Sequence, residues 1–187
     1  VLMGFRLHAG LTAPAMDLDP DLATLGKAIG SGVAVAAVAG RPEIMSAFSD
    51  GRAVRAGTYS GNPMACAAVI ATMEMLDAAD YPVLLARGQT LRSAIVDAFA
   101  RNGQTVSTSG HGDVFSLWPA AEPPRDYAEA HRLLRPDWSA ALHAALRRRG
   151  VLVMPSGYGR LFLSFAHDDA VLDSVAEAFR DAARELR

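Results

Sequence analysis

The chain has 187 residues, 51% of them hydrophobic, and a mean hydropathy of +0.15, enough apolar content for one domain or two small ones. A formal charge of −2 and a pI of about 6.2 exclude an electrostatic footprint for nucleic acid or an anionic membrane. The sole cysteine, Cys66, excludes an internal disulfide and suits a reducing, cytoplasmic compartment, and no stretch approaches the ~20 apolar residues of a membrane span.

In chain order, residues 1–5 read as the end of a buried strand, followed by a polar, Pro- and Asp-containing stretch over 12–21. Residues 33–39, apolar and bounded by Gly32 and Gly40, predict a buried parallel strand. Arg41-Pro42-Glu43 opens a short helix to about Phe48. Gly57-Thr58-Tyr59-Ser60-Gly61 predicts a turn-forming loop, and Asn62-Pro63 caps a helix to about Ala79. A break at Asp80-Tyr81-Pro82 starts another helix, ending near Gly103, and marks the boundary between two units, 1–80 and 81–187.

Beyond it the pattern becomes α+β. Residues 105–107, 114–118, 151–154 and 161–165 read as strands, with a Pro-rich loop over 119–125. A helix over 137–149 ends in Arg147-Arg148-Arg149 before Gly150, which marks a helix terminus and not a nucleic-acid patch. In the last helix Leu172, Val175, Phe179, Ala182 and Leu186 form one apolar stripe. Cys66, Met73 and Met75 read as packing residues. His8, His111, His131, His143 and His167 show no metal-ligand spacing, so no metal site is expected.

Lysine and arginine together number 18, yet the only lysine is Lys27. Guanidinium stays protonated and is a poor nucleophile, whereas a lysine amine can be deprotonated and attack a carbonyl. A lone lysine in an arginine background is therefore a candidate Schiff-base residue. Its neighbours Gly26, Ala28, Gly30 and Gly32 are small enough for a planar group to approach the backbone. Further on, Gly57 to Pro63 offer backbone N–H groups, hydroxyls and a helix N-terminus, an arrangement suited to an anion such as phosphate. Ser60 and Asn62 could serve there or act only as turn and cap.

Four segments then carry a family resemblance: Met3-Gly4-Phe5-Arg6; Pro20 to Gly32, with Thr24-Leu25-Gly26-Lys27 at its centre; Gly40-Arg41-Pro42-Glu43-Ile44-Met45; and Gly57 to Ala65. Together they resemble the class III (ω-) aminotransferases of the fold-type I pyridoxal-phosphate enzymes. Pro155-Ser156 and Leu163 to Asp169 are similar to the glutamate-1-semialdehyde 2,1-aminomutase branch of that family. The resemblance implies an α/β fold: the C-terminal portion of the cofactor-binding large domain over 1–80, then a small α+β domain over 81–187. It implies pyridoxal 5'-phosphate as cofactor, Lys27 as the residue that attaches it and shuttles protons, and Gly57 and Thr58 as its phosphate ligands. In the family that loop serves the neighbouring subunit, which implies a homodimer with its active site at the interface and a small amino or keto substrate.

Two departures qualify the substrate. The aminomutase branch carries an acid shortly after Pro-Ser, where this chain has Gly159. Arg160 beside it could bind a substrate carboxylate bidentately, or be a solvated strand-edge residue. This leaves an intermolecular transaminase acting on an amino acid or β-amino acid as the alternative activity. The family's Asp that pairs with the pyridinium nitrogen would fall immediately before Val1. The expectation is therefore the C-terminal part of a longer enzyme, poorly soluble by itself, with a non-catalytic remnant as a further alternative.

Overall fold

The computed structural model describes residues 1–186. The chain forms two compact units, Val1–Asp80 and Tyr81–Arg187.

In the first unit, β1 (Leu22–Leu25) pairs antiparallel with β2 (Ala37–Gly40), Leu22 opposite Gly40 and Leu25 opposite Ala37. A 3-10 turn, Lys27–Gly30, follows β1 directly. The Arg41-Pro42 signal produces α1 (Pro42–Met45), prolonged by a 3-10 turn to Phe48. Asn62 caps α2 (Pro63–Asp77), which packs against the Lys27–Gly30 turn. Arg41 pairs with both Asp19 (2.5 Å) and Asp21 (2.9 Å), tying the polar stretch to the end of β2.

Two strands expected here differ. Residues 1–5 form no strand: Phe5 is left-handed (φ 62°) and donates its N–H to the Gly10 carbonyl at 2.7 Å, closing a turn. Residues 33–39 do not make a buried parallel strand. Only Ala37–Gly40 is extended and paired, it is antiparallel, and all four residues are exposed. A parallel strand is buried by neighbours on both edges and cover on both faces. The described part of this unit supplies one edge and no cover. For the same reason Cys66 and Met75, expected to pack, are exposed: Thr72 is the only buried residue of α2.

The second unit is held by α3 (Tyr81–Ala100), α5 (Pro136–Arg147) and α6 (Asp169–Glu185) around a three-stranded antiparallel sheet ordered β3-β4-β5: Ser107–His111, Val114–Trp118 and Arg160–Phe162. Between β4 and α5 lies α4 (Tyr127–Leu133), capped by Asp126. Ile95, Phe99, Phe115, Leu146 and Phe179 are fully buried. Ala145, Ala182 and Ala183 let the helix backbones approach, and the α6 stripe Leu172, Ala176, Phe179, Ala183 follows the helical repeat. Arg148 and Arg149 at the end of α5 both pair with Glu185 of α6, so the basic run staples two helices. Gly150 (φ 78°) ends α5, with Gly150 N–H donating to the Arg147 carbonyl and Val151 N–H to that of Leu146.

That closure explains a further difference. Residues 151–154 belong to no strand; they continue from the helix stop with Leu152 81% exposed, and β5 covers only two of the residues expected at 161–165, Leu161 and Phe162, with their neighbour Arg160. β3 likewise lies later than 105–107. The Gly112-Asp113 turn places His111 opposite Val114 and zips the ladder back to Ser107 opposite Trp118. Polar Ser109 is accommodated by accepting the Trp118 indole N–H at 2.8 Å. Among the described residues, no helix is long and apolar enough to cross a membrane.

Gly88 of α3 is where the helix backbone meets the hairpin turn: a methyl group there would overlap the Gly112 carbonyl. Gly88→Ala is expected to lower unfolding stability by ~1–3 kcal/mol, read as a lower denaturant midpoint at unchanged slope; an unchanged midpoint contradicts this packing.

Glu129 accepts hydrogen bonds from the Arg125 side chain and backbone, which hold its carboxyl down from 4.5 to about 2. The folded value lies below the unfolded one, so this stabilisation of the α4 start is complete above pH 4.5 and fades as pH falls towards 2. Protection of the Tyr127–Leu133 amides, measured against the intrinsic exchange rate at each pH, should therefore fall in that acid window, and Glu129→Gln should remove this pH dependence.

Candidate cofactor-binding site

Lys27 stands at the exit of β1 with φ +51°, in the left-handed region that costs a side-chain-bearing residue ~1–2 kcal/mol. The conformation is held by its neighbours. Ile29, two residues on, is the buried aliphatic side chain of the first unit at 4% exposure, and Gly30 beside it is buried too. The turn is closed by Ile29 N–H to the Gly26 carbonyl and Ser31 N–H to the Ala28 carbonyl. Ile29 thus pins the turn while Lys27 projects into solvent. Its ammonium has no ion-pair or hydrogen-bond partner among the described residues, and Asp19 and Asp21, nearby in sequence, pair with Arg41. A strained backbone carrying an uncommitted amine is a pattern found at functional sites.

The loop expected to receive an anion is a concavity of about 420 Å³ formed by Gly57–Asn62, Ala34–Ala36, Ala65 and Cys66. Two successive turns shape it, Ser60 N–H to the Gly57 carbonyl (3.0 Å) and Asn62 N–H to the Tyr59 carbonyl (3.1 Å). Those turns leave the amides of Gly57, Thr58 and Tyr59 without intramolecular partners among the described residues. No carboxylate lines the concavity. Gly57 tolerates no side chain without displacing the Ser60 hydroxyl, which would lie 2.9 Å from an added methyl.

The α2 N-terminus does not supply the donors that the sequence suggested. Asn62 Oδ1 accepts from Met64 N–H (3.0 Å) and Ala65 N–H (3.2 Å), Cys66 N–H donates to the Asn62 carbonyl, and Pro63 has no N–H. Asn62 is therefore the helix cap, a role worth ~1 kcal/mol, and the open donors belong to the loop. Lys27 does not line this concavity. The lining contribution of Ala34–Ala36 was not legible from sequence, since small apolar residues carry no chemical signal.

Arg160 belongs to the second unit. It lies on β5 opposite Ser116, exposed, and its guanidinium has no acidic partner among the described residues. Gly159 beside it donates its N–H to the Ser156 carbonyl at 2.7 Å, and a methyl there would crowd both that carbonyl and the Met154 side chain at 2.8 Å. An acid could not replace Gly159 without reshaping the loop. His143 and His167, set aside as metal ligands, both line the same groove as Arg160.

The sequence profile of the aminotransferase class-III family matches residues 8–183. The chain belongs to that family. It is 38% identical over 184 residues to a glutamate-1-semialdehyde 2,1-aminomutase of Laribacter hongkongensis, covering 97% of this chain and 43% of that protein. An omega-transaminase from Sphaerobacter thermophilus superposes with a TM-score of 0.81 at 29% identity, over 97% of this chain and 43% of the other. The FumI protein of Sphingopyxis sp. MTA144, solved in its PLP internal aldimine form, shares the fold at 24% identity, with a TM-score of 0.81 over 97% of this chain and 41% of that one. The chain thus spans less than half the length of the relatives it matches, and its α/β architecture is that of class III transaminases.

Proposed function

We propose that this chain is the lysine-bearing part of a cytoplasmic pyridoxal-phosphate enzyme that moves an amino group, with conversion of glutamate 1-semialdehyde to 5-aminolevulinate as its reaction. The observation that carries this is Lys27, the only lysine, held in a left-handed turn with an uncommitted amine. Bound pyridoxal phosphate supplies an electron sink that acidifies the C–H next to the substrate nitrogen. Lys27 would anchor that cofactor and, when freed by substrate, take up and return the proton at the neighbouring carbon. Gly57 and Thr58 would bind the phosphate through their open amides and the Thr58 hydroxyl. The residues present suit a dianion, since the loop lining the concavity carries open amides and hydroxyls and no carboxylate lines it.

Lys27 does not line the concavity that holds Gly57 and Thr58. This supports a homodimer in which the loop of one subunit serves the lysine of the other. Val1–Asp80 would then be a portion of the cofactor domain and Tyr81–Arg187 the small domain, contributing Arg160 as a contact for the substrate carboxylate. The second reading, an intermolecular transaminase of amino or β-amino acids, is favoured by Gly159, which leaves the loop before Arg160 without an acid.

Borohydride treatment of the full polypeptide with pyridoxal phosphate, followed by peptide mapping, should place a pyridoxyl label on Lys27, and Lys27→Ala should lose both label and turnover. An unlabelled Lys27 in cofactor-loaded, active protein would refute the assignment. The two activities separate on substrate: the aminomutase should turn over glutamate 1-semialdehyde alone. Net transfer from an amino donor to a separate keto acid, without that turnover, would select the transaminase.

A further inference from the structure

Helices α3 and α6 run parallel in the second unit. Arg87 pairs with Asp169 near their N-terminal ends (2.7 Å), and Gln104, just past α3, donates to the Ala183 carbonyl near the end of α6 (2.7 Å). Between them lies a groove of about 420 Å³, within the ~300–1,000 Å³ range of small-molecule sites. A smaller concavity of about 150 Å³ shares Ala94 and Arg180 with it and continues it towards the C-terminal ends. The floor is apolar and open, because Ala86, Ala94 and Ala176 stand where larger side chains would fill it.

Six formal charges line the combined groove, and they are not evenly spread. At the N-terminal end Arg87 stands with Asp169 and Asp173, one cation against two acids. At the other end Asp97 stands with Arg101 and Arg180, one acid against two cations. Arg87 and Asp169 neutralise each other, whereas Asp173 and Arg180 have no ion-pair partner among the described residues. Helix-end electrostatics accounts for neither. The macrodipole acts within the first and last turns; in α6 those turns carry Asp169 and Arg184, and Asp173 and Arg180 lie inside them. The groove is therefore a dipolar trough, acidic at one end, basic at the other and apolar between.

We propose that this groove binds an ω-amino acid, its ammonium on Asp173, its carboxylate on Arg180 and Arg101, and its methylene chain on the alanine floor. Asp173 and Arg180 are separated by about 10 Å of helix rise, which a chain of about five methylenes with a charge-assisted contact at each end spans. Charge complementarity selects this class. A singly charged ligand leaves one pole unmatched, and an α-amino acid carries both charges on one carbon and cannot reach both poles. Neither Lys27, Gly57, Thr58 nor Arg160 lines the groove, so the proposal stands independently of the cofactor and substrate roles given to them.

Calorimetric titration of the cofactor-free full polypeptide at low salt tests this, with 6-aminohexanoate, hexanoate and hexylamine as probes. Omitting pyridoxal phosphate keeps the amines from forming imines. The zwitterion is expected to bind saturably and about threefold or more tightly than either singly charged probe, the scale of one exposed ion pair. That preference should vanish at about 1 M salt, where charges are screened beyond ~3 Å. Asp173→Asn should abolish the preference over hexanoate, and Arg180→Gln that over hexylamine; both positions are exposed, where substitution leaves the core untouched. Reversing the poles together, Asp173→Arg with Arg180→Asp, should restore the preference over both probes, with the zwitterion bound in the opposite direction. Equal affinities in the unmodified protein, a preference that survives either single substitution, no restoration in the double reversal, or no saturable binding at millimolar probe would each overturn the proposal. A dimer that Arg180→Gln dissociates, with no probe bound, would make the groove a contact between copies and overturn it as well.

Discussion

The burial of Phe99, Phe115 and Phe179 between α3, α6 and the antiparallel sheet is the interaction on which the second unit depends. Alanines at 145, 182 and 183 are as much a part of it as the rings, since larger side chains would hold the helices apart. The sheet, the α5 stop at Gly150 and the arginine staple to Glu185 are arranged around that packing. The surface ion pairs add little energy by themselves; they orient helix ends already brought together by apolar contact.

The first unit follows a different constraint. Among its described residues Ile29 is the buried hydrophobic side chain, while Val54, Tyr59 and Met64 are each more than 80% exposed. Its local structure therefore comes from backbone closure: the β1–β2 ladder, the Lys27–Gly30 turn and the Asn62 cap. Such elements position individual atoms well without a large core. That is sufficient for a site built from one amine and a few amides, because both depend on backbone direction more than on side-chain packing.

The two candidate regions are chemically complementary in this sense. At Lys27 a strained turn presents a nucleophile with no local counter-ion. At Gly57–Tyr59 two tight turns present donors with no local acceptor. Neither group is satisfied within its own surroundings among the described residues, the feature on which the proposed cofactor roles of Lys27, Gly57 and Thr58 rest.

Much of this was legible from sequence where the signal was local. Asn62-Pro63, Asp80 before Tyr81, and Arg149-Gly150 located helix ends because caps and stops act within one turn of chain. Lys27 was legible because its chemistry is unique in the composition. The strands were less so: apolar runs at 33–39 and 151–154 look like strands by content, yet a strand exists only if a partner edge is presented to it. The same limit misplaced Cys66 and Met75, whose apolar helix has a core-like composition but no core beside it. By itself, then, the sequence determined the caps and stops of the long helices, the position of the single lysine and the family, all of which reside in contiguous residues; the bounds of the short helix Tyr127–Leu133 were not among its expectations. Only the tertiary structure decided which apolar residues are buried, that the open donors belong to the loop and not to the α2 N-terminus, and that Arg160, His143 and His167 share one groove. Those properties depend on what distant segments bring to the same point in space, which no local pattern encodes.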